Sequence, residues 1–197
     1  MNSILNQLKH TDIYLIDQIL KGRLENTKTI LDVGCGKGRN LDYFIAQNTE
    51  VFGLDLNKDN IDWIVEHKKV AAANFKTALA ENIPFEKQQF DLIICNAVLH
   101  FAKNKNHFEE MLFSMWNRLA KNGILFIRLA SDIGIENLVK PIGNQNFELP
   151  DGTTRYLVSE KELINYTGQL NGKLVEQIKT TNVQSLRCMT TWILKKA

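Results

Sequence analysis

Residues 30–40 read Ile30-Leu31-Asp32-Val33-Gly34-Cys35-Gly36-Lys37-Gly38-Arg39-Asn40. An apolar run ends in an acid, three alternating glycines follow, and Leu41-Asp42-Tyr43-Phe44-Ile45-Ala46 then opens a helical pattern. A strand–turn–helix junction of this kind presents free backbone N–H groups at the helix start. Glycines let the backbone approach a ligand closely and take positive φ without a side-chain clash. The turn therefore predicts a site for a nucleotide-type cofactor. The alternative is a tight glycine turn that binds nothing.

Three more runs fall into line with the first. Val51-Phe52-Gly53-Leu54-Asp55 is a second short apolar strand ending in an acid. Asp55 stands about 20 residues past the first glycine, where an acid on the next strand reaches ribose hydroxyls. Its alternative role is a helix cap ahead of Lys58. Thr77-Ala78-Leu79-Ala80-Glu81-Asn82-Ile83-Pro84-Phe85 reads as a loop after a third strand. Phe90 to Cys95 is a continuous apolar run apart from Asp91, as in a central parallel strand buried on both faces. It ends at Asn96, and His100 follows four residues later.

The spacing of the first motif separates two cofactor classes. The dinucleotide fingerprint G-x-G-x-x-G needs a glycine at position 39, which is Arg. Asp32-x-Gly34-x-Gly36-x-Gly38 instead resembles motif I of the class I S-adenosylmethionine (SAM) methyltransferases, and the phrase Ala80-Glu81-x-Ile83-Pro84-Phe85 followed by Phe90-Asp91 is similar to another signature of that family. The resemblance is to small stand-alone members, of the type that includes ubiquinone-biosynthesis and tellurite-resistance enzymes. It implies SAM as cofactor. Asp32 would face its cationic aminoacyl end, with Gly34, Gly36 and Gly38 along the chain and Arg39 at the carboxylate. Asp55 would take the ribose diol, Leu56 would wall the adenine, and Ala80 and Glu81 would hold the adenine edge. Asn96 would sit beside the transferable methyl. The N/D-P-P-Y/F/W pattern of amino-methylating DNA and glutamine enzymes is missing, since Asn96 is followed by Ala97-Val98-Leu99. That argues against nucleobase N6 or glutamine methylation.

The coarse pattern supports an α/β, doubly wound sheet. Strands are expected near 28–33, 50–55, 72–78, 90–95 and 124–129. Helices are expected near 11–25, 38–47, 58–69 and 107–119, the last closed by a Lys121-Asn122-Gly123 cap. Ser159 and Glu162 have capping-box spacing for a further helix. Lys173–Asn182 and Arg187–Lys195 read as two strands joined near Gln184-Ser185. In the resembling family such a hairpin completes seven strands in the order 3-2-1-4-5-7-6, mostly parallel, the last antiparallel, with helices on both faces. Asp32, Asp55, Ala80 and Asn96 then share the carboxyl edge of the sheet, where open α/β folds bind ligands.

The whole chain, 1–197, is expected to form a single methyltransferase domain. Residues 1–27 would be a helical cap, with Tyr14 over the site. Residues 131–158 read as a long irregular insertion hanging over the site, a candidate substrate lid. Arg155, able to bind a carboxylate or phosphate, and Tyr156 are its candidate contacts. Their alternative is packing on an edge strand. His100 is a candidate base, or a residue that only packs or bonds backbone. No catalytic base is fixed by the sequence.

Lys and Arg are scattered and the formal net charge is only +2, so nucleic acid is an unlikely partner. Three cysteines (Cys35, Cys95, Cys188) and four histidines show no metal-ligand spacing, and no metal is expected. Free thiols, and an N-terminus without a charged region leading into a long apolar one, predict a cytoplasmic protein with no membrane segment. The expected activity is methyl transfer by in-line displacement to a small-molecule acceptor, by a monomer or homodimer. The alternatives are a non-catalytic SAM-binding regulatory module or a nicotinamide-dependent oxidoreductase. The acceptor, and whether O, N, C or S is methylated, are not encoded in these motifs.

Overall fold

The computed structural model describes residues 4–85 and 89–197. Met1–Ser3, the start of the expected cap, lie outside the described residues. Two short helices, α1 (Ile4–Leu8) and α2 (Ile13–Leu20), lead into β1 (Thr29–Val33), α3 (Asp42–Ala46), β2 (Glu50–Asp55), α4 (Lys58–His67) and β3 (Phe75–Thr77). After these come β4 (Phe90–Asn96), α5 (Lys105–Arg118) and β5 (Leu119–Ser131). Three short strands follow, β6 (Lys140–Gly143), β7 (Asn146–Glu148) and β8 (Thr154–Tyr156), then α6 (Glu160–Gln169), β9 (Gly172–Leu174), β10 (Lys179–Val183) and β11 (Arg187–Lys196). The main sheet runs β10-β11-β5-β4-β1-β2-β3, with β11 antiparallel to both neighbours. That is the expected 6-7-5-4-1-2-3 path, except that the outer strand is divided: β9 pairs with the far end of β11.

Alternation along the strands sorts the core into two layers. Leu31, Val33, Ile93, Cys95, Leu125 and Ile127 point to one face, against Phe108, Leu112 and Met115 of α5 and Leu163 and Tyr166 of α6. Ile30, Leu92, Ile94 and Phe126 point to the other, against Leu15, Phe44, Ile61 and Ile64 of α2, α3 and α4. Burial on both faces is why these strands read as unbroken apolar runs.

Several elements depart from expectation for local reasons. The helix expected at 11–25 is shorter, Ile13–Leu20, because Asp12 caps its start by accepting from Tyr14 N–H and Gly22 takes φ +70 after the last turn; a separate helix, α1, precedes it. The helix after the glycines begins only at Asp42, because Gly38 has φ +68 and the turn closes through Gly38 N–H to Cys35 C=O (2.8 Å). Lys121-Asn122-Gly123 is no helix cap. Leu119 already pairs with Phe90 and Ile124 pairs with Leu92, so the residues between bulge out of β5, with Asn122 left-handed. The stretch 131–158 is not irregular either, since β6, β7 and β8 form a small antiparallel sheet. The Ser159–Glu162 capping box is present as expected.

The break between β9 and β10 holds Glu176, which ties the edge of the sheet to α2. Its carboxylate accepts from Gln18 (3.0 Å), Lys21 (2.9 Å), Arg23 (2.9 Å) and Lys179 (3.0 Å). Burial alone would raise this carboxyl, but the bonds from Lys21, Lys179 and Arg23 outweigh it and lower it from 4.5 to about 2. A depressed folded-state pKa gives stability that is complete above pH 4.5 and disappears as the pH falls toward 2. Glu176→Gln is expected to cost about 1–2 kcal/mol at neutral pH and to flatten the acid limb of the stability profile. Urea unfolding across that range checks both; a variant as stable as the parent at neutral pH would refute the tie.

Candidate active site

The glycine turn is fastened to the end of β2. Gly34 and Cys35 N–H both donate to Leu54 C=O, at 2.8 and 3.0 Å. Gly36 N–H donates to Asp55 Oδ2 at 2.8 Å, while Asp55 Oδ1 accepts from Asn57 N–H at 2.8 Å and Asn60 Nδ2 at 3.2 Å. Gly34 has φ +71, and a Cβ there would lie 2.3 Å from Val98 Cγ2, so no side chain fits. At Gly36 nothing lies within 4 Å of where a Cβ would project, which leaves an open cradle.

Beside the turn, on the face covered by α2 and α3, lies a buried polar layer. Asp32 is 1 % exposed, and its Oδ2 has no partner among the described residues. Asn96, at the end of β4, is buried with both carboxamide atoms unpartnered. Arg128 pairs across from it in the sheet and reaches Asp12 Oδ2 at 3.3 Å. Asn40 Oδ1 accepts from Asp12 N–H at 3.0 Å. The segment before α2 is thereby tied to the glycine turn on one side and to β5 on the other. Burial, with Asp55 adding to it and Arg39 opposing, pushes Asp32 up to about 8.

Two cavities flank the ends of the strands. The first, about 430 Å³, is walled by Gly34, Asp55, Leu56, Ala80, Glu81 and Val98, among others. The second, about 380 Å³, includes His100, Arg128, Arg155 and Arg187; Ala97 and Phe101 face both. Sequence reasoning thus brought Gly34, Asp55, Leu56, Ala80 and Glu81 to one wall. Gly38 lies apart, against Lys68 and Ile64, and Arg39 donates to His10 C=O at 3.4 Å. Glu81 has a neighbour the sequence did not announce, His107 Nε2 at 3.2 Å. Val98 and Ala97 were also missed: Ala97 adopts φ +63, which no local signal in the sequence marks.

The candidate catalytic residues separate. Tyr156 is 1 % exposed and stacks on Phe108 at 5.1 Å, so it is core packing and not an acceptor contact. Tyr14 bonds Thr181 Oγ1 and lies against Arg128. Arg155 does line the second cavity. His100 Nδ1 accepts from Ala130 N–H at 3.1 Å, and burial, with Arg155 adding to it, lowers its pKa to about 4. The ring is therefore neutral near pH 7 with its proton on Nε2, a donor where a base was considered. The three cysteines are free and buried, and burial keeps Cys95 protonated up to about 12. Among the described residues no His/Cys/Asp/Glu group is placed to hold a metal ion, and no helix is long and apolar enough to cross a membrane.

Residues 31–127 match the family model for a methyltransferase domain. A ubiquinone biosynthesis O-methyltransferase from Pelagibacter ubique is 28% identical over 138 residues, 64% of this chain and 55% of that protein. A probable (S)-tetrahydroprotoberberine N-methyltransferase from Papaver bracteatum is 30% identical over 112 residues, 54% of this chain and 30% of that protein. The chain thus spans between about a third and a little over half the length of these relatives. A crystal structure of an S-adenosylmethionine-dependent methyltransferase from Clostridium acetobutylicum superposes with a TM-score of 0.71 at 14% identity, covering 98% of this chain and 96% of the other, and shares the fold. Residues 31–127 thus resemble a methyltransferase domain, and the fold is shared with S-adenosylmethionine-dependent methyltransferases of known structure.

An acid whose folded pKa is raised binds more protons folded than unfolded. Stability of the ligand-free protein should therefore fall as pH rises from 3.8 to about 8. Asp32→Asn removes that dependence and is expected to stabilise the ligand-free protein at pH 8 by roughly 2–4 kcal/mol. Thermal unfolding of both forms across the window checks this; a variant less stable than the parent at pH 8 would count against it.

Proposed function

We propose that the protein is a SAM-dependent methyltransferase acting on a small-molecule acceptor, with SAM held in the first cavity. The observation that carries this reading is the buried, unpartnered Asp32 carboxylate beside an open glycine cradle. A buried carboxylate in a low-dielectric site attracts a cation such as the aminoacyl ammonium and repels a pyrophosphate. That favours SAM over a nicotinamide dinucleotide.

Under this reading Asp32 orients the aminoacyl end. The remaining lone pair of Asp55 Oδ2 takes a hydroxyl of the ribose diol, Leu56 and Ala80 enclose the adenine, and Glu81 meets its polar edge. Asn96, with donor and acceptor both free, lies nearest the reacting carbon. When bound, SAM would supply an activated, electrophilic methyl group. The chain's own contribution is to align the partners and exclude water. Of the expected cap, residues 4–27, fastened through Asp12 and Asn40, close over the site, and 131–158 with its small sheet forms the acceptor side. The three free buried thiols support a reducing, cytoplasmic setting.

Calorimetric titration with S-adenosylhomocysteine and with NADH tests the reading. Micromolar binding of the first, none of the second, and at least about tenfold weakening in Asp55→Ala are expected. Binding of NADH instead would favour the oxidoreductase. Binding of S-adenosylhomocysteine with no methyl transfer to any member of a broad acceptor panel would favour the regulatory module.

A further inference from the structure

The second cavity has a chemistry of its own. Its polar wall is made of Arg128, Arg155, Arg187 and His100 with Asp151 and Thr153, and its apolar wall includes Leu149 and Met189. Donors outnumber acceptors there. Arg187 faces Asp151 Oδ2 at 3.7 Å and Arg128 faces Asp12 Oδ2 at 3.3 Å. Arg155 has no carboxylate within ion-pair distance among the described residues. It donates to the Thr154 carbonyl (2.7 Å) and lies over the Phe101 ring (4.9 Å).

The Asp151 carboxylate is already occupied, since its Oδ1 accepts from Thr153 N–H at 2.9 Å and from Thr153 Oγ1 at 2.6 Å. On the donor side, Arg128 Nε is buried without a partner. His100, with Nδ1 committed to Ala130 N–H, turns an N–H outward from Nε2. One unpaired guanidinium and these spare donors in a partly apolar cavity ask for a ligand rich in acceptor oxygens and carrying negative charge. At about 380 Å³ the space suits a small molecule. Ala97 and Phe101, which also face the first cavity, put it beside the methyl-donor site.

We propose that this second cavity is the acceptor subsite and that the methyl acceptor carries an oxyanion, a carboxylate or a phosphate, held by Arg155 and Arg187. The apolar body of the acceptor lies on Leu149 and Met189, and His100 Nε2–H donates to it as a positioning residue. This inference rests on the methyltransferase reading, which identifies the neighbouring cavity as the donor site.

The test is calorimetry on protein saturated with S-adenosylhomocysteine, using benzoate, 4-hydroxybenzoate, phenyl phosphate and inorganic phosphate against the neutral benzamide and benzyl alcohol. The aryl anions are expected to bind at least about tenfold more tightly than benzamide. Arg155→Gln and Arg187→Gln should each reduce that preference by about tenfold, Arg155→Lys less, all with unchanged affinity for S-adenosylhomocysteine. Stronger binding of benzoate assigns a carboxylate, and stronger binding of phenyl phosphate a phosphate. Equal binding of benzamide and benzoate overturns the proposal. So does anion binding indifferent to both arginine substitutions, or no binding by any panel member to protein that still takes S-adenosylhomocysteine. Failure of S-adenosylhomocysteine itself to bind would overturn the methyltransferase reading and this inference with it.

Discussion

The carboxyl edge of the sheet depends on one close approach, at Gly34. Its N–H reaches Leu54 C=O at 2.8 Å, while the Val98 side chain occupies the space where a Cβ would project. The end of β1 is thereby locked to the end of β2 and to the turn that follows β4. Once that lock is made, Gly36 falls within reach of Asp55. Asp55 in turn holds Asn57 and Asn60 at the start of α4, where Asn57 caps the helix. The cradle is thus set by backbone contacts before any ligand arrives, and little ordering entropy remains to be lost on binding.

Electrostatics is organised on the same face of the sheet. Asn96 and Arg128 sit side by side at the strand ends with Asp32 diagonal to Asn96 on the same face, roofed by the segment that Asp12 and Asn40 pin down. A carboxylate held away from water favours its neutral form, and a cation brought beside it restores the charge. Arg128 belongs to two arrangements at once, pairing with Asp12 under the cap and lining the second cavity. Cap position and the electrostatics of the second cavity therefore share one guanidinium.

Where periodicity and turn chemistry are strong, the sequence is readable. The apolar runs at β1, β2 and β4 and the acids or amide that end them (Asp32, Asp55, Asn96) lie where their spacing puts them. The capping box at Ser159 is local chemistry and is equally plain. What stays hidden is set by tertiary partners. The small sheet of β6 to β8 is built from short polar strands without alternation, so it reads as loop. The divided edge strand follows from Glu176 reaching α2, more than 150 residues earlier in sequence. Tyr156 looks like a contact until its stacking on Phe108 is seen, and the tautomer of His100 is dictated by a backbone amide 30 residues away. The arginine cluster is legible only once Arg128, Arg155 and Arg187 are brought to one cavity by three different strands.

The first cavity draws its walls from residues up to Met111, the second mostly from Arg128 onward. Gly34, Asp55 and Ala80 line one; Leu149, Arg155, Arg187 and Met189 line the other. On the proposed reading, substitutions at Leu149, Arg155, Arg187 or Met189 would therefore change the acceptor side while leaving the walls at Gly34, Asp55 and Ala80 undisturbed. Ala97 and Phe101 are the exceptions, because they face both chambers. Substitutions at those two positions would reshape both cavities at once.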